Sequence, residues 1–334
     1  MMILKFLVSL IPVFLLLVLL LYLDSIKLVS KWMLLLCLGW GVISAGLSFF
    51  LNTFLIENLG FSFETYSGFI APFVEEFLKL MVILFLIGKR KIGFMIDGAT
   101  YGFSVGAAFA FCENLFSLFH YSGTESNLMV WITRGFGTAI MHSGATAIFA
   151  IFCMSALNRQ ARLSLAILAG SGTAILIHSL YNQFLVSPLV STVIVLVIVP
   201  VTISLIFQSN EKSIRQWLEM EFDTEASLLR MIRKGRFSET KAGRYLLSVK
   251  EFFPREVVFD MYCYISLYLE LSMKAKCHIL LKESDLVIPA DPGIPSKLKE
   301  LKALEKTIGR AGYMAIAPVL RMSHKDLWKL SLLG

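Results

Sequence analysis

The sequence predicts an all-α, polytopic membrane protein with a small, mostly helical, water-soluble domain at its C-terminal end. Hydrophobic residues make up 57% of the 334 residues and charged residues only 16%, well below the roughly 25% charge of a soluble domain. About seven segments are apolar enough to cross a hydrocarbon core of about 30 Å. The charges are also unevenly distributed, since residues 1–208 contain 10 Lys/Arg and 8 Asp/Glu, whereas residues 209–334 contain 21 and 16.

These observations predict a transmembrane domain over residues 1–208 and a soluble helical tail over residues 209–334. The first apolar segment is too long for a typical signal peptide and is interpreted as an anchor. The seven predicted spans are residues 3–23, 33–55, 69–87, 95–119, 128–153, 163–185 and 189–207.

The tail has helical periodicity, interrupted by Gly, Pro and Asp, and a predicted loop at "SDLVIPADPGIP" (284–295). It contains no recognisable nucleotide, metal or nucleic-acid motif. The net charge of +7 is split between both parts of the chain. Membrane topology explains it more economically than nucleic acid does, so membrane lipids are expected partners and nucleic acid is not. A cytoplasmic protein is a further expected partner of the tail. The five cysteines have no metal-type spacing and are interpreted as packing residues.

The loops predict the orientation, because basic residues favour the cytoplasmic side of a membrane. The alternate loops "HYSGTESN" (120–127) and "LVSPLV" (185–190) have no Lys or Arg. The N-terminus is therefore expected outside the membrane and the tail in the cytoplasm, with only Lys5 weakly opposing this. The basic loop residues are Lys27, Lys31, Lys89, Arg90, Lys91, Arg159 and Arg162.

The third span, "APFVEEFLKLMVILFLIG" (71–88), carries three charged residues at membrane depth. Each costs on the order of 2.5–3.5 kcal/mol there and therefore indicates a function. Polar residues on the next three spans lie at similar depth, in the outer half of the membrane. The polar residues of these four spans are Glu75, Glu76, Lys79, Glu113, Asn114, His142, His178 and Asn182.

Helical spacing separates the roles of the two adjacent glutamates. Glu75 shares a face with Lys79, four residues on, whereas Glu75 and Glu76 project about 100° apart. One glutamate can therefore face a site while the other pairs with Lys79 or Arg134. On the fourth span, a strip of small residues allows close approach of another helix: Gly98, Gly102, Gly106 and Ala110.

These motifs together resemble the PrsW family of intramembrane proteases, which is related to the CAAX prenyl endopeptidases. The resemblance covers residues 70–185 and consists of "PFVEEFLK", "DGATYGFSVGAAFAFCEN", "MHSGATAI" and "IHSLYN". It implies hydrolysis of a peptide bond in a single-pass membrane protein, such as the first cut in an anti-sigma factor during stress signalling. Asn182 stands where some members have Asp, and the tail lies outside the resemblance.

We hypothesise that Glu113, His142 and His178 bind a divalent metal, with zinc the best fit to a His and carboxylate set. Glu75 or Glu76 would then be the general base, with Glu76 slightly favoured because Glu75 shares its face with Lys79. Asn182 would donate to the oxyanion or orient His178.

A metal-free site, in which a carboxylate and histidine pair activates water directly, is a nearly equal alternative. A proton- or cation-coupled transporter is a further alternative, although it predicts polar residues across the whole membrane. The last alternative is a non-catalytic scaffold.

Overall fold

The computed structural model describes residues 2–24, 28–121, 127–183, 185–284, 286, 291–320 and 324–333. The protein is 88% helical and has no strand among these residues, which confirms the prediction of an all-α membrane protein. Lys27, residues 122–126 of the predicted loop at 120–127, and residues 285 and 287–290 of the predicted loop at 284–295 lie outside the described residues.

The chain divides into two units, Met1–Asn210 and Glu211–Gly334. Two π-helices occur among the described residues of the first unit, where π1 (Tyr66–Ile70) leads into α4 and π2 (Thr133–Thr138) leads into α7. The α-helices that begin in this unit are α1 (Met2–Leu23), α2 (Lys31–Leu59), α3 (Phe63–Thr65), α4 (Ala71–Gly88), α5 (Met95–Tyr121), α6 (Leu128–Ile132), α7 (Ala139–Asn158), α8 (Leu163–Asn182) and α9 (Pro188–Arg233).

Among the described residues, six helical segments are long and apolar enough to cross a membrane, with α6, π2 and α7 forming one of them. The remaining predicted span is α4, which is helical over 18 residues. It differs from the six because it carries Glu75, Glu76 and Lys79.

Helix α9 is longer than the sequence analysis predicts. The apolar span is expected to end at residue 207, but the helix that contains it continues without interruption to Arg233. The physical reason is that residues 201–233 contain no Gly or Pro, the residues that most often end a helix. The side chains change from apolar to polar along this segment, but the backbone stays helical.

Helices α5 and α7 form the centre of the membrane unit. The spans that contain them are 67% and 72% buried, against 22–33% for the other four. A Cβ added at Gly102 would lie 2.6 Å from the Thr146 carbonyl oxygen, and one at Gly106 only 2.4 Å from the His142 carbonyl oxygen. The predicted strip of small residues is thus the face that packs against α7.

The second unit is a helical domain with its own core. Its further helices are α10 (Lys241–Ser248), α11 (Arg255–Glu283), α12 (Ile294–Leu320) and α13 (His324–Leu330). Residues such as Met261, Ile265 and Ile316 are fully buried. Beside this core, the Glu225 carboxylate accepts from the buried Lys276 and Lys329 ammonium groups at 3.0 and 2.8 Å.

We expect Gly106→Ala to lower the free energy of unfolding by about 1–3 kcal/mol, because the added methyl group overlaps the backbone of α7. Gly172→Ala is the matched control, since a Cβ at this helical position has no atom within 4 Å. Thermal unfolding of the full chain in detergent measures both. Equal stability of the two variants would contradict the proposed close packing of α5 on α7.

Candidate active site

Helix α4 carries its charged and aromatic side chains on different sides. Glu76 and Lys79 are fully buried, whereas Phe73, Phe77 and Phe85 are more than half exposed. The helical repeat of 3.6 residues produces this separation, because positions three and four apart share a side. The charged side of α4 therefore faces the interior of the helix bundle.

Lys79 forms an ion pair with Glu76. The Lys79 Nζ lies 2.5 Å from Glu76 Oε1, and both side chains are completely buried. The spacing of four residues predicts that Lys79 shares a face with Glu75, but the structure pairs it with the glutamate three residues away, which is equally close on a helix. The ammonium group also lies 4.7 Å from the centroid of the Phe109 ring.

His178 on α8 lies between the two adjacent glutamates. Its Nδ1 is 2.8 Å from Glu76 Oε1, the same oxygen that pairs with Lys79. Because an ionised carboxylate only accepts hydrogen bonds, Nδ1 carries the proton and donates it. His178 Nε2 is then left with its lone pair, 3.8 Å from Glu75 Oε2.

His142 on α7 connects Lys79 to Glu113. The Lys79 ammonium donates to His142 Nδ1 at 3.0 Å, since an ammonium group has no acceptor. His142 Nε2 therefore carries the proton and donates to Glu113 Oε2 at 2.9 Å. The ring meets that of His178 edge to face, with centroids 4.5 Å apart.

Glu113 and Arg134 form the more accessible edge of the cluster. Arg134 Nη2 donates to Glu113 Oε1 at 2.8 Å, and the two side chains are 25% and 36% exposed, respectively. Arg134 Nε also donates to Asn114 Oδ1 at 3.2 Å. Glu113 is therefore less enclosed than Glu76, which is fully buried.

Glu75 is held by a contact that the sequence analysis missed. Asn52 Nδ2 on α2 donates to Glu75 Oε1 at 3.1 Å, and Tyr66 donates its hydroxyl to Asn52 Oδ1 at 2.8 Å. Asn52 is a polar residue within the apolar run of α2, and this was the feature of the sequence that could have indicated a buried polar contact. This chain of hydrogen bonds fixes one Glu75 oxygen and leaves the other on the side of His178.

Each π-helix immediately precedes a helix with site residues, and an asparagine from a neighbouring helix donates to it. Asn182 Nδ2 donates to the Ser67 carbonyl in π1 at 3.1 Å. Asn114 Nδ2 donates to the Arg134 carbonyl in π2 at 3.3 Å. The wider π turn shifts the backbone hydrogen-bond ladder, which the sequence analysis did not anticipate.

Among the described residues, one group has the geometry to hold a metal ion: Glu75, His142 and His178, whose ligand atoms lie within 4.8 Å of one another. The predicted set contained Glu113 in place of Glu75. Glu113 does contact His142, but its carboxylate is paired with Arg134 and does not belong to this group.

The residues of this group fit a divalent metal once His142 gives up the hydrogen bond at one ring nitrogen, because in this structure Nδ1 accepts from Lys79 and Nε2 contacts Glu113. Two imidazoles and one carboxylate are a known ligand set of catalytic zinc. The Glu76 carboxylate holds the second nitrogen of His178, as carboxylates commonly do for metal-binding histidines. Glu76 Oε2 is moreover buried without a hydrogen-bond partner, so this part of the bundle has acceptor capacity that a cation would satisfy.

Buried imidazoles and carboxylates contributed by four membrane helices define a membrane-embedded site for acid–base or metal chemistry. Residues 29–205 match the family model described as "PrsW family intramembrane metalloprotease". This match covers more than half of the chain, so the chain belongs to the PrsW family, as its motifs predict. Searches of curated proteins and of solved structures each found no significant match.

We expect Glu75→Gln and His178→Ala to lose most of the bound metal after dialysis, because each removes a ligand. Glu113→Gln should weaken binding less, by about 10–100-fold, since it removes only a partner of His142. Metal analysis of the purified full chain measures this order, with the exposed Glu64→Gln as control. Loss in Glu113→Gln with retention in Glu75→Gln would instead favour the set predicted from sequence.

Proposed function

We propose that this protein hydrolyses a peptide bond in a single-pass membrane protein, near the outer face of a bacterial inner membrane. The observation that carries the proposal is the convergence of Glu75, His142 and His178 inside the helix bundle, in a chain of the PrsW family. An anti-sigma factor cleaved in stress signalling is the substrate class that the family resemblance suggests.

Glu75, His142 and His178 would hold a divalent metal, with zinc the best fit to these ligands. When bound, such a metal supplies Lewis acidity, which polarises the scissile carbonyl and makes water a better nucleophile. Glu76 keeps His178 oriented through its Nδ1 proton. Lys79 neutralises the buried Glu76.

We propose Glu113 as the general base, in place of the Glu76 favoured from sequence. Glu76 is fully buried, whereas Glu113 is the most exposed carboxylate of the cluster. The Glu113 oxygens accept from Arg134 and His142 in this structure, so the attacking water would replace one of these two partners. Glu113 would take a proton from water as the water oxygen bonds to the carbonyl carbon. It would return that proton to the amine nitrogen as the C–N bond breaks.

Arg134 and Asn182 have different proposed roles. The partly exposed Arg134 guanidinium lies beside Glu113 and would stabilise the oxyanion that develops on the carbonyl oxygen. Asn182 already donates to the Ser67 carbonyl, which supports a positioning role that ties α8 to the start of α4.

The metal-free alternative has its own support, because Lys79 lies 3.0 Å from His142 Nδ1 and supplies a positive charge within the protein. In that version Glu75 and His178, 3.8 Å apart, would activate water together. Activity that survives strong chelators with no bound metal would favour this version.

The charge pattern supports the proposed orientation. Glu75 lies near the start of α4, whereas the exposed Lys89 and Arg90 follow its end. His142 likewise lies near the start of α7, and Arg159 follows its end. The site would thus lie in the membrane half away from the basic loops, which is the outer half if those loops are cytoplasmic.

The test is a co-expression cleavage assay against single-pass membrane proteins of the anti-sigma type, tagged at both ends. We expect Glu75→Gln, Glu113→Gln and His178→Ala to lower cleavage at least about 100-fold, since each removes a group that acts on water or its ligands. Glu57→Gln, an exposed glutamate on α2, is the matched control.

Cleavage that persists in all three variants, each folded and inserted, would exclude the proposed protease site. The proposal would also be excluded if the wild-type protein cleaved no substrate and the wild-type protein and all three variants had the same transport or scaffold activity.

A further inference from the structure

A groove of about 430 Å³ lies on the soluble unit, between α10 and the start of α11. Two helix faces line it, with Gly243, Leu246, Leu247 and Lys250 from the α10 side, and Arg255, Val258, Phe259 and Tyr262 from α11. Gly243, Leu246 and Leu247 lie on one side of α10, and Lys250 follows in the 3-10 turn Val249–Glu251. The α11 residues follow the spacing i, i+3, i+4, i+7, which places them on one side of that helix.

The groove combines a buried apolar floor with an exposed apolar rim. Leu246 and Val258 are buried with Phe237 beneath them, whereas Leu247 is 44% and Phe259 64% exposed. The nearby Phe252, in the connection between the two helices, is 80% exposed. Aromatic side chains exposed to this extent on a soluble domain indicate an interaction surface.

The charges of the groove are basic and unpaired. Lys250 and Arg255 are exposed, and neither has an ion-pair partner among the described residues. Elsewhere in the same unit, Arg236, Lys274 and Lys297 each pair with a carboxylate. Residues 233–255 contain seven Lys/Arg and two Glu, so this part of the surface has a positive potential.

We propose that this groove docks onto a membrane surface that contains anionic lipids. Exposed Phe and Leu flanked by Lys and Arg have the chemistry to insert at the headgroup boundary while the cations contact lipid phosphates. The same chain crosses the membrane, so such a surface is always present for this unit. Docking would limit the freedom of the tail independently of any protease activity.

The experiment uses the full chain with Cys112, Cys263 and Cys277 replaced by Ser. Ser248→Cys carries a polarity-sensitive fluorophore beside the groove, and Thr307→Cys carries it on α12 as the control position. Both are exposed, and both hydroxyls bond only to their own helix. The protein is placed in nanodiscs of phosphatidylcholine, with or without phosphatidylglycerol, and quenched with acrylamide, which is neutral.

We expect the label at 248 to be quenched at least about twofold less in the anionic nanodiscs, with no change at 307. Lys250→Glu with Arg255→Glu should abolish this protection. Lys302→Glu with Lys306→Glu makes the same charge change at two exposed positions of α12 and should retain it.

Equal quenching of the label at 248 in both lipid compositions would overturn the proposal. Protection that is the same in both compositions and rises with protein concentration would also overturn it, because a second copy of the chain would then cover the groove. It would also be overturned if the two double variants lost protection equally, because net charge rather than the groove would then be responsible.

Discussion

The buried ion pair of Glu76 and Lys79 is the interaction on which the rest of the site depends. Both side chains are fully enclosed, so removing one partner would leave an uncompensated charge at a cost of about 3–5 kcal/mol. The pair also contacts both imidazoles, since Glu76 holds His178 and Lys79 donates to His142. One helical turn of α4 thereby sets the orientation of residues on α7 and α8.

The surrounding helices keep this polar centre enclosed and leave one edge accessible. Small residues of α5 allow α7 to approach within backbone contact, which brings His142 to Glu113. The two asparagines fix the π-helices that precede α4 and α7. Glu113 and Arg134 remain partly exposed, whereas Glu76 and Lys79 are fully buried. The carboxylate proposed to exchange protons is thus less buried than the two groups that orient the histidines.

Much of this organisation could be predicted from the sequence, because charge in an apolar helix and small residues at every fourth position have few explanations. The four helices, the polar residues and the packing of Gly102 and Gly106 followed from spacing alone. The grouping of Glu75 with the two histidines did not, since it depends on which carboxylate pairs with Arg134. The contact of Asn52 with Glu75 and the two π-helices could not be predicted either, because each involves hydrogen bonds between helices that are distant in sequence.

X-ray absorption at the zinc edge of the zinc-loaded full chain tests the central claim most directly, because it counts imidazole ligands. Two imidazole nitrogens at about 2.0–2.1 Å with oxygen neighbours are expected, falling to one imidazole in His142→Ala and in His178→Ala. A shell that contains thiolate sulfur, or two imidazoles that persist in both variants, would contradict a metal site built from Glu75, His142 and His178.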